Sequence, residues 1–232
     1  MRFVLHVGNK NYSSWSMRPW VLMRQAGIDF EERKVRFDSF APDSEFKRVI
    51  GAVNPIGKVP VLEDREVDGG LIVWDSLAIC EYIAETHPRL NLWPTDPAAR
   101  ARARSVCAEM HSGFFAVRNL LPMNIEASLP EIGALVLRDH AEVRTEVERI
   151  GAMWCELLER YGGPMLFGAF SVADAFFAPM CMRLNGYGIP VPEAVDEYIG
   201  RVGALPAVNE WTSDALAEQD FLPFEEPYRL GR

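Results

Sequence analysis

Asn54-Pro-Ile-Gly-Lys-Val-Pro-Val-Leu62 places a proline at the mouth of an apolar run. Val59-Pro60-Val61-Leu62 has the composition of a buried strand, yet Pro60 has no N–H to give to a ladder. That confines it to a strand's first residue, an edge or a bulge. Asn54-Pro55 and Gly57 just before it are turn formers, so the chain enters the strand sharply. In that setting the Val59–Pro60 bond is a candidate for the cis isomer. A strand that starts this way leaves the backbone before the proline free to pair with a docked peptide. Further on, Trp74-Asp75-Ser76-Leu77-Ala78-Ile79 closes a strand and opens a helix with a hydroxyl at the turn. The two segments together outline a site for a small peptide that carries a carboxylate.

With 232 residues, 49% of them hydrophobic, the chain can bury one large core or two modest ones. A formal net charge of −9 argues against a nucleic-acid partner, which calls for a basic face. No apolar run approaches the ~20 residues that span a bilayer, so no membrane partner is expected. Met1-Arg2 leads straight into Phe3-Val-Leu-His-Val7, too short a run for a secretory signal. Cys80, Cys107, Cys155 and Cys181 are widely spaced, form no CxxC pair and read as buried free thiols of a reducing compartment. His6, His87, His111 and His140 show no ligand spacing, so no metal is expected. A soluble cytoplasmic protein follows from these features.

Strand and helix alternate in the first part of the chain. Phe3 to Val7 predicts a strand, Ser14 to Gln25 a helix closed by Ala26-Gly27, and Asp29 to Phe37 a second strand with Phe30, Val35 and Phe37 on its apolar positions. Glu45 to Ile50 predicts a short helix ended by Gly51. A strand over Val59 to Glu63, an Asp68-Gly69-Gly70 hairpin turn, a strand over Leu71 to Trp74 and a helix from Ser76 to Thr86 follow. The hairpin makes the last two strands antiparallel and the opening βαβ makes the first two parallel, so residues 1–86 form an α/β unit on a mixed four-stranded sheet. Pro88, Pro94 and Pro97 mark a linker. Beyond it strand signals vanish: Asp96-Pro97 opens a helix to about Leu121, and Leu129-Pro130 another to about Tyr161. Shorter helices are expected over Val172–Asn185, Pro192–Val202 and Pro206–Ala217, which makes 96–232 an all-α bundle. Residues 218–232 lack helical periodicity and are expected to wrap over the surface.

Several segments place polar groups where chemistry needs them. Asn11-Tyr-Ser-Ser-Trp-Ser-Met-Arg-Pro-Trp20 lies where the first strand turns into the first helix. Ser13 or Ser14 either caps that helix or gives a hydrogen bond to a ligand thiolate, which a helix N-terminus also favours. Asp75-Ser76 divides in the same way. Ser76 caps the third helix while Asp75 favours its positive end, or the two hold the carboxylate and ammonium of an amino-acid group. Ser171-Val-Ala-Asp174 reads as a capping box at a buried helix start. Arg100, Arg102 and Arg104 splay over a helix as solvated or subunit-contact groups, or else draw an anionic ligand into the cleft. His111, Phe114, Phe115 and Arg118 follow and read first as core positions, although Arg104, His111 and Arg118 share roughly one face.

With these segments in order, the chain resembles the cytosolic glutathione S-transferases. The resemblance covers nearly the whole chain and rests on Asn54-Pro-x-Gly-x-Val-Pro-x-Leu62, Asp75-Ser76-x-Ala-Ile79 and Ser171-x-x-Asp174. It implies a thioredoxin-like domain over 1–86 joined to an all-helical domain over 96–232, and glutathione as co-substrate. Ser13-Ser-Trp-Ser-x-Arg18 looks most like the zeta class, whose pattern is Ser-Ser-Cys-x-x-Arg. By that likeness Ser13 activates the thiolate with help from Ser14, and Val59 before Pro60 pairs its backbone with the cysteinyl part of glutathione. Asp75 and Ser76 hold the γ-glutamyl end, and Lys58 supplies a charge at the ligand's edge. A small electrophile would rest against Trp15, His111, Phe114, Phe115 and Arg118. Trp15 stands where the zeta pattern has cysteine, and Pro19 and Trp20 replace its small aliphatics. These departures leave conjugation, zeta-type isomerisation of maleylacetoacetate and a non-catalytic binding role as alternatives. A homodimer is a further implication of the resemblance.

Overall fold

All five residues of β1 (Phe3–Val7) are buried, as befits a strand covered on both faces. The structure, a computed structural model, describes residues 1–67 and 69–228. β1 lies inside a four-stranded sheet of order β2-β1-β3-β4. β2 (Phe30–Lys34) runs parallel to it with Phe30 opposite Phe3, and β3 (Val61–Asp64) antiparallel with Leu62 opposite Leu5. β4 (Leu71–Trp74) returns antiparallel to β3. α1 (Ser14–Gln25), α2 (Glu45–Gly51) and α3 (Ser76–Thr86) complete the expected thioredoxin-like α/β unit on a mixed sheet. In the β3–β4 hairpin Gly69 and Gly70 take left-handed φ values of 76° and 75°, while the Asp68 of the expected turn lies outside the described residues.

Two strands are shorter than expected. β2 stops at Lys34 because the β1 ladder runs out there: Val35 N–H makes the last bond to it, to Val7 O at 2.8 Å, and Phe37 N–H turns to Asn9 Oδ1 at 2.8 Å. Phe37 then packs so closely on the β1 exit that a Cβ on Gly8 would lie 2.2 Å from its ring. β3 begins at Val61 rather than Val59, since Pro60 has no N–H for the ladder.

The second half is helical, with α4 (Pro97–Ser112), α5 (Phe115–Leu120), α6 (Pro130–Asp139), α7 (Ala141–Tyr161), α8 (Val172–Gly186), α9 (Glu193–Gly203) and α10 (Pro206–Glu218). Here two long expected helices are each broken. The one starting at Asp96 ends at Ser112, because Phe114 adopts φ 53° and Glu146 of α7 accepts the N–H groups of Ala116 and Val117 at 3.2 and 2.8 Å, opening α5 afresh. The one starting at Pro130 breaks at His140, where Arg144 caps the end of α6 by donating to the carbonyls of Leu137 and Arg138. Glu146 lies about 30 residues from the N–H groups it accepts, whereas Arg144 reaches back only six and seven residues.

One continuous core runs from the sheet through α1 into α8, with Trp20 edge-on to Trp211 of α10 at 5.2 Å. A second, smaller core of Tyr12, Val35, Phe37, Phe46, Ile50 and Val61 is completed by Leu222 from beyond α10. The segment after α10 does wrap back. Asp220 accepts from Asn9 at 2.9 Å and pairs bidentately with Arg36 at 2.7 Å, and Glu226 accepts from Tyr12 Oη at 2.6 Å.

The expected capping box opens α8 and is part of a larger node. Buried Asp174 accepts from Ser171 N–H (2.9 Å), Ser171 Oγ (3.1 Å), Leu166 N–H (3.1 Å) and Tyr198 Oη (3.1 Å). Asp174→Ala strands those donors in the interior and is expected to lower the unfolding free energy by roughly 3 kcal/mol or more, read by urea denaturation.

Candidate functional site

The loop before β3 is shaped by Asn54, whose side chain is enclosed at 1% exposure. Its carboxamide accepts from Ile56 N–H at 3.0 Å and donates to Lys58 O at 3.2 Å, while Gly57 turns through φ 62°. Lys47 Nζ fastens the same turn by donating to Gly57 O at 2.7 Å. The Val59–Pro60 bond that follows is cis. Val59 is half-buried, and its backbone N–H and C=O make no hydrogen bond to any described residue.

At the start of α1, Ser13 occupies the N-cap position but makes no side-chain capping bond. Its hydroxyl lies 2.7 Å from Ser16 Oγ, which accepts Gly8 N–H at 3.1 Å. Ser14 Oγ accepts from Arg183 Nη2 of α8 at 3.2 Å and keeps its own proton. Neither hydroxyl is spent on closing the helix. One turn on, Arg18 is fully buried between the rings of Trp15 and Phe176, each 4.4 Å from its guanidinium carbon. It donates to Phe176 O, while its Nε and Nη2 find no partner among the described residues.

Asp75, rather than Ser76, is the N-cap of α3. It holds a left-handed φ of 77° and accepts from Leu77 N–H at 2.9 Å and Ala78 N–H at 3.4 Å. Its other oxygen lies 3.3 Å from His111 Nε2 of α4. Ser76 is buried instead of capping, and its hydroxyl donates to Trp15 O at 3.1 Å, tying α3 to α1.

These elements enclose two adjoining cavities. The first, of about 410 Å³, brings together Lys58, Val59, Pro60, Asp75 and Ser76 with Trp15, His111 and Arg118. The second, of about 400 Å³, contains Ser13 and Ser14 and shares Trp15, Lys58, Val59 and Arg118 with the first. Phe114 and Phe115 line neither: Phe114 is buried in the core, and Phe115 is 57% exposed beneath the Arg118 guanidinium, 4.6 Å away. Sequence reading missed Arg183 and Glu225, which also line the second cavity, together with its aromatic wall of Phe37, Phe40 and Phe46. Arg183 carried a signal, as the one arginine in the apolar helix after Ser171; Glu225 carried none. Arg100, Arg102 and Arg104 are turned elsewhere, Arg102 pairing with Glu156 and Arg104 with Glu81.

The site is cationic within an acidic chain. Burial pulls the Arg18 guanidinium down to about 9 and that of Arg183 to about 10, and Arg118 is lowered by the same cause. Among the described residues no group of three or more His, Cys, Asp or Glu is placed to hold a metal ion. Nor is any described helix long and apolar enough to cross a membrane.

Residues 12–86 match the family model for the glutathione S-transferase N-terminal domain. A probable maleylacetoacetate isomerase of Caenorhabditis elegans is 36% identical over 203 residues, covering 85% of this chain and 89% of that protein. The chain belongs to the glutathione S-transferase family. By that membership it is a glutathione S-transferase-type enzyme. A stringent starvation protein A homolog of Histophilus somni is 24% identical over 207 residues, covering 85% of this transferase and 90% of the homolog. A Burkholderia glutathione transferase homolog, solved with bound glutathione, superposes with a TM-score of 0.66 at 25% identity, over 94% of this chain and 99% of that one.

The two serines differ in what their loss leaves behind. Ser14→Ala strips Arg183 of an acceptor inside the protein and is expected to cost about 1–3 kcal/mol of unfolding free energy. Ser13→Ala leaves Ser16 still bonded to Gly8 and is expected to cost less than about 1 kcal/mol by the same urea titration.

Proposed function

We propose that this transferase binds glutathione in the first cavity and stabilises its thiolate at the Ser13–Ser14 pair for attack on a small electrophile in the second. The observation that carries the reading is the free backbone of Val59, held between those hydroxyls on one side and Asp75-Ser76 on the other. An extended tripeptide laid there pairs its cysteinyl amide with Val59 as an added strand. Its γ-glutamyl end meets Asp75 and Ser76, with Lys58 at the edge, and its sulfur reaches the start of α1. Hydroxyl protons rotate to suit their partners. Once Ser16 donates to Ser13, the Ser13 proton is free for the thiolate, and the N–H of Gly8 polarises the chain from behind. Ser14, polarised by Arg183, gives a second donor. Such fixed donors act on charge that develops where they already point. The bound glutathione of the Burkholderia relative supports the ligand assignment.

A second reading, glutathione-dependent cis–trans isomerisation, is favoured by the similarity to the probable maleylacetoacetate isomerase of C. elegans. Trp15 stands against it, in the place of the zeta-class cysteine. Assaying maleylacetoacetate beside chlorodinitrobenzene separates the two readings. A transferase-like chain used only for binding or assembly would turn over neither.

Ser13→Ala is expected to cut conjugation of chlorodinitrobenzene by roughly 10–10²-fold. Its glutathione affinity by calorimetry should stay within about threefold, because the side chain contributes to the charged sulfur and little else. If Ser13→Ala keeps full turnover and Ser14→Ala alone abolishes it, the thiolate donor is Ser14. From the family likeness we also propose a homodimer in which α3 and α4 of one copy face the other. Sedimentation velocity should then show twice the chain mass, and a single-chain mass would remove the homodimer.

A further inference from the structure

His111, expected beside the electrophile, lines the first cavity and not the second. It stands one residue before the end of α4, and a helix C-terminus favours a cation. Its ring lies edge-on to Trp15 of α1 at 5.3 Å and stacks on Phe176 of α8 at 6.4 Å. His111 Nε2 is 3.3 Å from Asp75 Oδ2, while Asp75 Oδ1 is spent on the N–H groups of Leu77 and Ala78. His111 Nδ1 has no partner among the described residues. The other charged groups around the ring are cations. Arg118 of α5 donates to His111 O at 3.2 Å, Arg18 of α1 lies behind the Trp15 ring, and Lys58 stands in the same cavity. Among the described residues Asp75 is the one carboxylate in contact with this imidazole. An imidazolium at this place therefore depends on Asp75 as its counter-charge.

Asp75 Oδ2 is also the oxygen left to receive the γ-glutamyl ammonium of a bound glutathione. One carboxylate cannot give its full charge to two cations. Resting on the glutathione reading above, we propose that His111 is a positioning residue that competes, when protonated, with the γ-glutamyl ammonium for Asp75. Neutral His111 donates its Nε2–H to Oδ2, which fixes the carboxylate and leaves a second lone pair for the ammonium. Protonated His111 cancels the charge that attracts the ligand, and glutathione then binds well only as that proton passes to solvent. The free protein holds the proton more tightly than the complex does, because the ammonium draws on the imidazolium's counter-charge. Affinity is therefore full above the range in which a histidine changes charge, pH 5 to 8, and reduced below it. The same contact joins the two halves of the molecule, since Asp75 opens α3 and His111 belongs to α4. Acid thus weakens glutathione binding through a residue of the helical half.

Calorimetry with S-methylglutathione tests this, because the blocked sulfur takes the ligand's thiol out of the proton balance. From about pH 8 to about pH 5.5 the wild-type affinity should fall about three- to fivefold, the scale of a partly exposed ion pair. Near the middle of that range, binding should release roughly a third of a proton per ligand, read by comparing buffers of different ionisation enthalpy. His111→Gln keeps a donor towards Asp75 without a titrating ring, so it should bind equally at both ends of the range and release no proton. An S-methyl analogue with glutaryl in place of γ-glutamyl lacks the ammonium. It should bind wild type more weakly at the alkaline end and lose nothing further in acid. The proposal is overturned if wild-type affinity stays level or rises in acid, if His111→Gln shows the same fall, or if the glutaryl analogue falls in parallel. Should His111→Gln not fold, His111→Ala takes its place, with the same level profile expected. If S-methylglutathione binds at no pH, the glutathione reading itself fails, and the role of His111 falls with it.

Discussion

The Arg18 guanidinium, pressed between the Trp15 and Phe176 rings and bonded to a carbonyl of α8, sets how the two halves of the molecule meet. A buried cation without a carboxylate is expensive to hold, and its environment must therefore be well determined. Here ring faces and a backbone oxygen supply the compensation, and each comes from a fixed place in the fold. Because α1 packs on the sheet on one side and on α8 on the other, locking Arg18 locks the helix. The hydroxyls of Ser13 and Ser14 at its N-terminal end then face the loop before β3 at a set height. Ser76, bonded to Trp15 O, fixes the third edge in the same frame.

Positive charge is concentrated where an anion would form. Arg18, Arg118 and Arg183 come from three different helices and gather near the start of α1, and each guanidinium is held below its ordinary basicity by burial. A chain with nine more negative than positive charges overall has gathered three buried or half-buried cations at this spot. Such an arrangement stabilises charge on sulfur or oxygen without any rearrangement at the moment of reaction.

The sheet, its mixed order and the three edges of the site were legible in the sequence, because each depends on local chemistry: alternating apolar residues, a proline at a strand entry, and hydroxyls beside helix starts. What could not be read was set by particular side-chain contacts, some distant along the chain and some near, that residue type alone does not specify. Glu146 decides where α5 begins, and Arg144 decides where α6 ends. The role of Asn54 exceeds that of a turn former because its carboxamide clamps Ile56 and Lys58, a contact that residue type alone does not specify. Phe114 and Phe115 lay at plausible helical spacing for the second cavity, but the left-handed turn at Phe114 rotates both out of it. Glu225 was invisible for the opposite reason, lying in a segment without periodicity whose position is set only by what it docks against.

That docking has a consequence for biosynthesis. Leu222 fills the smaller core beneath the sheet, and Tyr12 donates a hydrogen bond to Glu226, so the amino-terminal unit is completed by residues made only after the helical half. While the ribosome is still adding the helical half, the hollow bounded by Phe37, Phe46 and Val61 stays open to water. The sheet-bearing unit therefore cannot close its second hydrophobic layer while the helices are being made. It does so only once residues 222–226 are made, and the cavity next to the serines acquires its Glu225 wall in that same event.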